Sequence, residues 1–400
     1  MDGPAATPSN KLTYCFGLFI IIAFGITSTA SAVPHGAREQ AKRMHDRIAG
    51  VPPSSADLTA MANLIAAEQP LDAAEIAASH PAFYNITLKT HAAPWTNRDQ
   101  SQFVPLNDYT ATVIGLVRDN RDFREVLTGN LIYVSEAPGV IEYSGSDNTH
   151  YEALEARGAD LQVELIGRPQ VNYTGVPTED NAGVLTTRAA AEAFFIAGTN
   201  RAMFRFTLMN HLCTDLEPIM DTTRVPDRIR KDISRSPGGD SRLFMNNCIG
   251  CHSGMDPLAG AFAFFNFNES SGRIEFTKTS GIPQFKYSIN SNNFPQGFET
   301  VDDSWKNYWR EGPNAWMGWN GPASEGVGIK SMANELANTE VFASCHVKQV
   351  FKTVCLREPA GAADDAYISL TMLPAFESNY NLRDQFKLAG VHCMGEEEEL

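Results

Sequence analysis

Cys248-Ile249-Gly250-Cys251-His252 is the stretch around which this chain is read. Two thiols separated by two residues and followed at once by an imidazole form the attachment signature of a c-type haem. The chemistry needs each residue type in its place. The thiols of Cys248 and Cys251 add to the two vinyl groups of the macrocycle, and the two residues between them set the sulfurs one backbone turn apart. His252 then reaches the iron as the proximal ligand. A thioredoxin-like dithiol or half of a zinc site would also use C-x-x-C. The chain has no second C-x-x-C to complete four zinc ligands. The expectation is one covalently attached haem c, with Cys248, Cys251 and His252 as its binding residues.

The N-terminus is read as a secretory signal peptide over residues 1–32. Lys11 precedes the apolar run 12–26, and Ala30-Ser31-Ala32 supplies an Ala-x-Ala cleavage site, so the mature chain is expected to begin at Val33. The run is shorter than the ~20 residues of a spanning helix, and no later stretch is long and apolar enough to cross a membrane. Export suits covalent haem attachment, and the protein is expected to be periplasmic or otherwise exported. It also changes the meaning of the cysteines. Of seven, Cys15 falls in the leader and two belong to the haem motif, leaving Cys213, Cys345, Cys355 and Cys393. Four cysteines in an oxidising compartment predict two disulfides. Cys345 and Cys355 stand ten apart on one predicted helix, about 15 Å, too far to bond each other. Each is therefore expected to pair with Cys213 or Cys393, in either combination.

The formal charge of −15 on 400 residues argues against nucleic acid or an anionic membrane surface as partner, and is compatible with a redox partner protein. An apolar fraction of 43% is ample for a core. The pattern predicts a mainly α fold with a small β-hairpin. Residues 33–185 read as a helical N-terminal domain, with helices over 37–48, from a cap at Asp57, over 71–79, from a cap at Asn107 or Asp108, and over 122–127. Residues 131–134 read as extended and 138–185 as loop-rich. Residues 186–358 read as a cytochrome c-like haem domain. It opens with one long helix over 188–213 and a basic, exposed segment over 224–235. Strands over 273–276 and 285–289 form the hairpin, an aromatic loop covers 290–330, and a helix runs over 339–356. Phe262, Phe264, Phe265 and Phe267 wall a haem pocket or fill ordinary core. Residues 359–400 form a C-terminal extension with an acidic tail at 396–399.

The sixth iron ligand separates an electron carrier from a haem that binds small molecules. Class I cytochromes bring a methionine from a loop before a C-terminal helix, and Met317 in Trp316-Met317-Gly318-Trp319 resembles that placement. Met332, His211 and His346 are the alternatives. Phe244, four residues before Cys248, resembles the aromatic that those cytochromes pack on the haem edge.

Residues 248–267, CIGCHSGMDPLAGAFAFFNF, resemble the haem region of planctomycete-type cytochrome c-like proteins, in which C-x-x-C-H is followed by Ile/Met-Asp-Pro, a glycine and an aromatic-rich tail. Met255-Asp256-Pro257 matches; Gly260 stands one residue late, and the acidic residue before the last aromatic is absent. Residues 122–128 (DFREVLT) and 183–187 (GVLTT) are similar to the helical regions that accompany the motif. The resemblance implies an exported, mostly helical c-type haem protein and supports the three motif residues. The function expected is one-electron transfer by a monohaem c-type cytochrome. A haem enzyme of peroxidase or oxygenase type, with an open distal site, is the alternative. A partner-docking exported protein with a haem appendage is a third class.

Overall fold

The computed structural model of the chain describes residues 35–196 and 198–395. The leader and the acidic tail expected from the sequence lie outside the described residues.

The fold is mainly α, with three small two-stranded antiparallel sheets. Its first helix, α1 (His35–Ile48), buries Ala37, Ala41, Met44 and Ile48, the three-and-four spacing of a single helical face. In α2 (Ser55–Ala66) the cap is Ser54 rather than Asp57: the Ser54 hydroxyl accepts from the Asp57 backbone amide at 3.1 Å. α3 (Pro70–Ala78) buries Ala73, Ala74, Ala77 and Ala78, small side chains that let another helix approach closely. α4 (Asp108–Arg118) is capped by Asn107 and buried from Asp108 to Val117. It is the central helix, apolar on nearly every side because it is covered on nearly every side.

The segment expected to be loop-rich holds more structure than its composition suggests. β1 (Ile132–Ser135) pairs with β2 (Leu165–Arg168), and α5 (Thr149–Ala156) lies between them in the chain. The pair rests on α4 at Gly115, where a Cβ would stand 2.2 Å from the Tyr133 ring. The long helix expected over 188–213 is two helices, α6 (Arg188–Phe194) and α7 (Arg201–Leu212). The break ends at Asn200, which takes a left-handed φ of 58° while its side-chain amide donates to the carbonyls of Phe262 and Phe265. A tertiary contact thus outweighs helix propensity there.

α8 (Ile249–Ala259) carries Cys251 and His252 of the C-x-x-C-H motif, with Cys248 immediately before it. The hairpin after it is β3 (Phe265–Asn268) with β4 (Arg273–Phe276), in the register Phe265↔Phe276 and Phe267↔Ile274. The expected second strand over 285–289 is instead a short helical turn, Phe285–Tyr287. Phe265 and Phe267 point into the core and Asn266 and Asn268 away from it, the period-two pattern of a half-buried strand. Phe195 packs against Phe262 and Phe265 at ring distances of 5.7 and 5.5 Å, so these phenylalanines are core. β5 (Ser304–Lys306) pairs with β6 (Glu325–Val327) inside the long aromatic segment. α9 (Ile329–Ala337) and α10 (Glu340–Cys355) follow, with Thr339, read as the first residue of the helix, serving as the cap of α10. α11 (Leu382–Cys393) packs on α10, α3 and α1.

Two disulfides close the helices together. Cys213–Cys345 ties the end of α7 to α10, and Cys355–Cys393 ties α10 to α11. Cys345 and Cys355 do not pair with each other, as their spacing requires. One apolar cluster runs from Ala41 in α1 to Cys393 in α11 and includes Met255 and Leu258 of the motif helix. It is continuous across positions 185 and 358, where the sequence reading drew boundaries. Among the described residues no helix is long and apolar enough to cross a membrane.

Candidate functional site

The approach to the motif is set by a turn at Ser236-Pro237-Gly238-Gly239, after which the Asp240 carboxylate accepts from the Arg242 backbone amide and starts a helical run. The run widens into a single π turn at Phe244–Cys248 and continues as α8. Cys248, Cys251 and His252 stand at i, i+3 and i+4 of that helical backbone, so they share one face.

At about 100° per residue, Gly250 and Gly254 fall on the opposite face. That face is docked. A Cβ on Gly250 would touch Met220, and one on Gly254 would stand 2.0 Å from the Trp309 ring. The Asp221 amide donates to the Gly250 carbonyl at 3.0 Å, and Ser253 Oγ donates to the Asp221 carbonyl at 3.0 Å. Close docking of the glycine face leaves the thiol face turned outward. Gly254→Ala is expected to destabilise the protein by about 2 kcal/mol through overpacking against Trp309, read as a lowered midpoint in urea; an unchanged midpoint contradicts the docking.

Cys248 and Cys251 are half-buried and unpaired, whereas Cys213, Cys345, Cys355 and Cys393 are all cross-linked. Burial pushes the Cys251 thiol above its ordinary value, and the nearby acidic groups Asp215 and Glu217 push the same way. A reactive dithiol needs a depressed thiol and cationic neighbours; Cys251 has the reverse. Phe244 is buried in a small satellite cluster with Ile229 and Ile249, against which Cys248 packs. Leu243 and Met245, on either side of it, are about half exposed.

The His252 imidazole is oriented from behind. Its Nδ1 lies 3.1 Å from Asp256 Oδ1, four residues on along α8. The Asp256 side chain is fully buried and receives Arg201 Nε at 2.7 Å and Nη2 at 2.9 Å. Arg201 also donates to both oxygens of Asp232, at 2.6 and 3.0 Å. Arg230 Nη2 lies 3.7 Å from Asp256 Oδ1. Burial alone would raise the Asp256 pKa, but the guanidiniums of Arg201 and Arg230 outweigh it and hold the carboxyl well below the usual carboxylate range. Two carboxylates and two guanidiniums balance, which lets the cluster be buried ionised. The segment 224–235, expected to be exposed, buries Arg230 at its centre, with its guanidinium 4.8 Å over the Tyr287 ring.

The distal candidates sit elsewhere. Met317 closes the turn Gly312–Met317 and is fully buried. The neighbours of that turn are Trp309, which stacks on Trp319, and Ile219, whose carbonyl accepts from Asn314. Trp309 covers Gly254, and Ile219 adjoins the Met220 that covers Gly250, so the turn closed by Met317 adjoins the wall behind the glycine face of α8. The aromatic loop folds inward over Trp305 and Trp309, which are among the most buried side chains, while Trp316 stays exposed. Met332 is buried on α9. His211 and His346 form a pair in the main core, with Nδ1 and Nε2 3.4 Å apart and the Tyr109 hydroxyl 2.8 Å from His211 Nε2. Burial drives His211 down to about 3 and His346 well below its ordinary value, which favours the neutral form of both. The structure therefore brings Cys248, Cys251 and His252 together on an outward face, with all four distal candidates in the core.

The residues that sequence reasoning missed are Asp256, Arg201, Asp232 and Arg230. Asp256 could have been found: an aspartate four residues after a histidine on one helix faces it. The other three come from α7 and from the 224–235 segment and carry no local signal.

No family model matches the chain, and no curated protein and no solved structure matches it.

Proposed function

We propose that the chain is an exported monohaem c-type cytochrome that passes single electrons to and from a partner protein. The observation that carries this reading is the division of the cysteines: four are locked in disulfides, while Cys248 and Cys251 stay free on the same outward face as an oriented imidazole. The donor set fits a haem. Each thiol adds across one vinyl group, its sulfur bonding to carbon and its proton passing to the other vinyl carbon, with no net oxidation. A carboxylate accepts hydrogen bonds and cannot donate them, so the His252 nitrogen facing Asp256 carries the proton. That leaves the Nε2 lone pair for the metal, and among the described residues Nε2 has no hydrogen-bond partner. Haem iron takes four ligands from its macrocycle, so it does not need the cluster of three or more protein ligands that is absent among the described residues. When bound, the haem supplies the ferric/ferrous couple. The chain contributes attachment, the orientation of His252 and an apolar backing from Phe244 and Ile249. Two disulfides, the leader read at residues 1–32 and the resemblance of residues 248–267 to exported haem proteins support the compartment.

The test is expression in a host competent in cytochrome c maturation. The wild type is expected to retain haem on a denaturing gel, and Cys248→Ala/Cys251→Ala to lose all covalent haem. A reduced spectrum unchanged by carbon monoxide supports electron transfer. A shift to a carbonyl complex moves the reading to a small-molecule haem site, and a wild type without covalent haem overturns it.

A further inference from the structure

We propose that Asp256 is a positioning residue for His252, fixing the orientation and proton of its imidazole and thereby holding down the reduction potential of the iron that the imidazole binds. The inference rests on the haem reading above and adds to it a residue that tunes the couple.

The geometry carries the argument. Asp256 meets His252 one turn along α8, so their side chains point the same way without backbone adjustment. The carboxylate itself is immobilised. Arg201 grips it through two nitrogens, and Arg201 is in turn gripped by Asp232, so the fork cannot swing away. Arg230 closes the remaining side from a segment that is otherwise polar. Asp256 also balances the buried guanidiniums of Arg201 and Arg230, so charge pairing is one part of its role. What the ionised carboxylate adds is a hydrogen bond to the outer nitrogen of a candidate metal ligand. Such a partner fixes the tautomer and ring plane and raises the basicity of the coordinating nitrogen. A more basic nitrogen favours ferric over ferrous iron and lowers the potential. The two guanidiniums temper that effect, since they draw on the same carboxylate oxygens.

The experiment is redox titration of the haem-loaded protein beside two variants. Asp256→Asn keeps the shape and removes the charge. It is expected to bind haem covalently and to shift the ferric/ferrous equilibrium about tenfold toward ferrous, which is about 59 mV for one electron. Asp232→Asn removes the same charge from the same cluster without touching His252, and is expected to shift the equilibrium less than about twofold. Equal shifts in the two variants, or no shift in Asp256→Asn, overturn the inference. Should Asp256→Asn fail to fold, the wild type answers alone. Its His252 Nδ1 proton, read in the hyperfine-shifted proton NMR spectrum, is expected to exchange slowly with deuterium. Exchange as fast as that of an exposed imidazole overturns the inference. A wild type without covalent haem is a different failure: it removes the haem reading, and this inference with it.

Discussion

Replacing Cys213 and Cys345 together by alanine is expected to cost about 5 kcal/mol of stability. The disulfide closes a loop of 132 residues, the longer of the two in the fold. Most of its effect is on the unfolded chain, which loses the freedom to separate these two points, and that loss grows slowly with loop length. The Cys355–Cys393 link closes only 38 residues, and its removal is expected to cost about 4 kcal/mol on the same account. Cys213–Cys345 also carries a local burden that its partner does not. It sits beside His211 and His346, whose contact in the core depends on the ends of α7 and α10 staying together. Equilibrium unfolding in urea, with wild type and variant compared without reductant, measures the difference. A loss below about 2 kcal/mol would show that core packing alone holds α7 against α10.

Acid is expected to unfold this protein through its buried histidines well before the carboxylates titrate. Burial lowers the pKa of His91 to about 4 and of His211 to about 3, and lowers that of His346 well below its ordinary value, with His211 and His91 adding to the effect there. In the unfolded chain each titrates near 6.5. Between 6.5 and the folded value the unfolded state binds the proton and the folded state does not, so stability falls as pH falls through that window. It is fully present above pH 6.5 and is lost on the way down to about pH 4 for His91. That residue alone accounts for about 3 kcal/mol by pH 4. The clean measurement is a difference. Between about pH 7.5 and pH 4 the wild type is expected to lose about 3 kcal/mol more in urea unfolding than His91→Gln, whose side chain does not titrate. Parallel pH profiles for the two proteins would mean that His91 is protonated in the fold, against its burial next to Trp95 and Phe386.

Local patterns determined a good deal of this molecule. The helix of α10 and the cap of α4 at Asn107 follow from spacing within one or two turns. The bar on a Cys345–Cys355 bond follows from the rise of a single helix. Cys248, Cys251 and His252 are legible because the chemistry they would perform needs them within five residues, and a helix then aligns them without help from the rest of the fold. Asp256 was legible for the same reason, since it lies one turn away on the same helix.

What lies beyond a single element was decided by tertiary contact. β2 is four residues with a glycine among them, and only Tyr133 packing on Gly115 gives it a partner. The strand partner of 273–276 is Phe265–Asn268 rather than 285–289, because the alternating phenylalanines have α6 to pack against. The break before Asn200 is held by carbonyls more than sixty residues away. Met317 had the spacing of a distal ligand from an open loop, but it is fully buried in a segment whose Trp305 and Trp309 are worth more inside than exposed, while the adjacent Trp316 stays at the surface. The clamp on Asp256 joins α8 to α7 and to the 224–235 segment, elements that meet only in the folded chain. The sequence by itself determined which atoms could attach and ligate a haem, since those atoms are fixed by short-range geometry. Which face of that helix turns outward, and which charged groups stand behind its histidine, only the tertiary structure decided, because burial and ion pairing depend on neighbours that chain order does not specify.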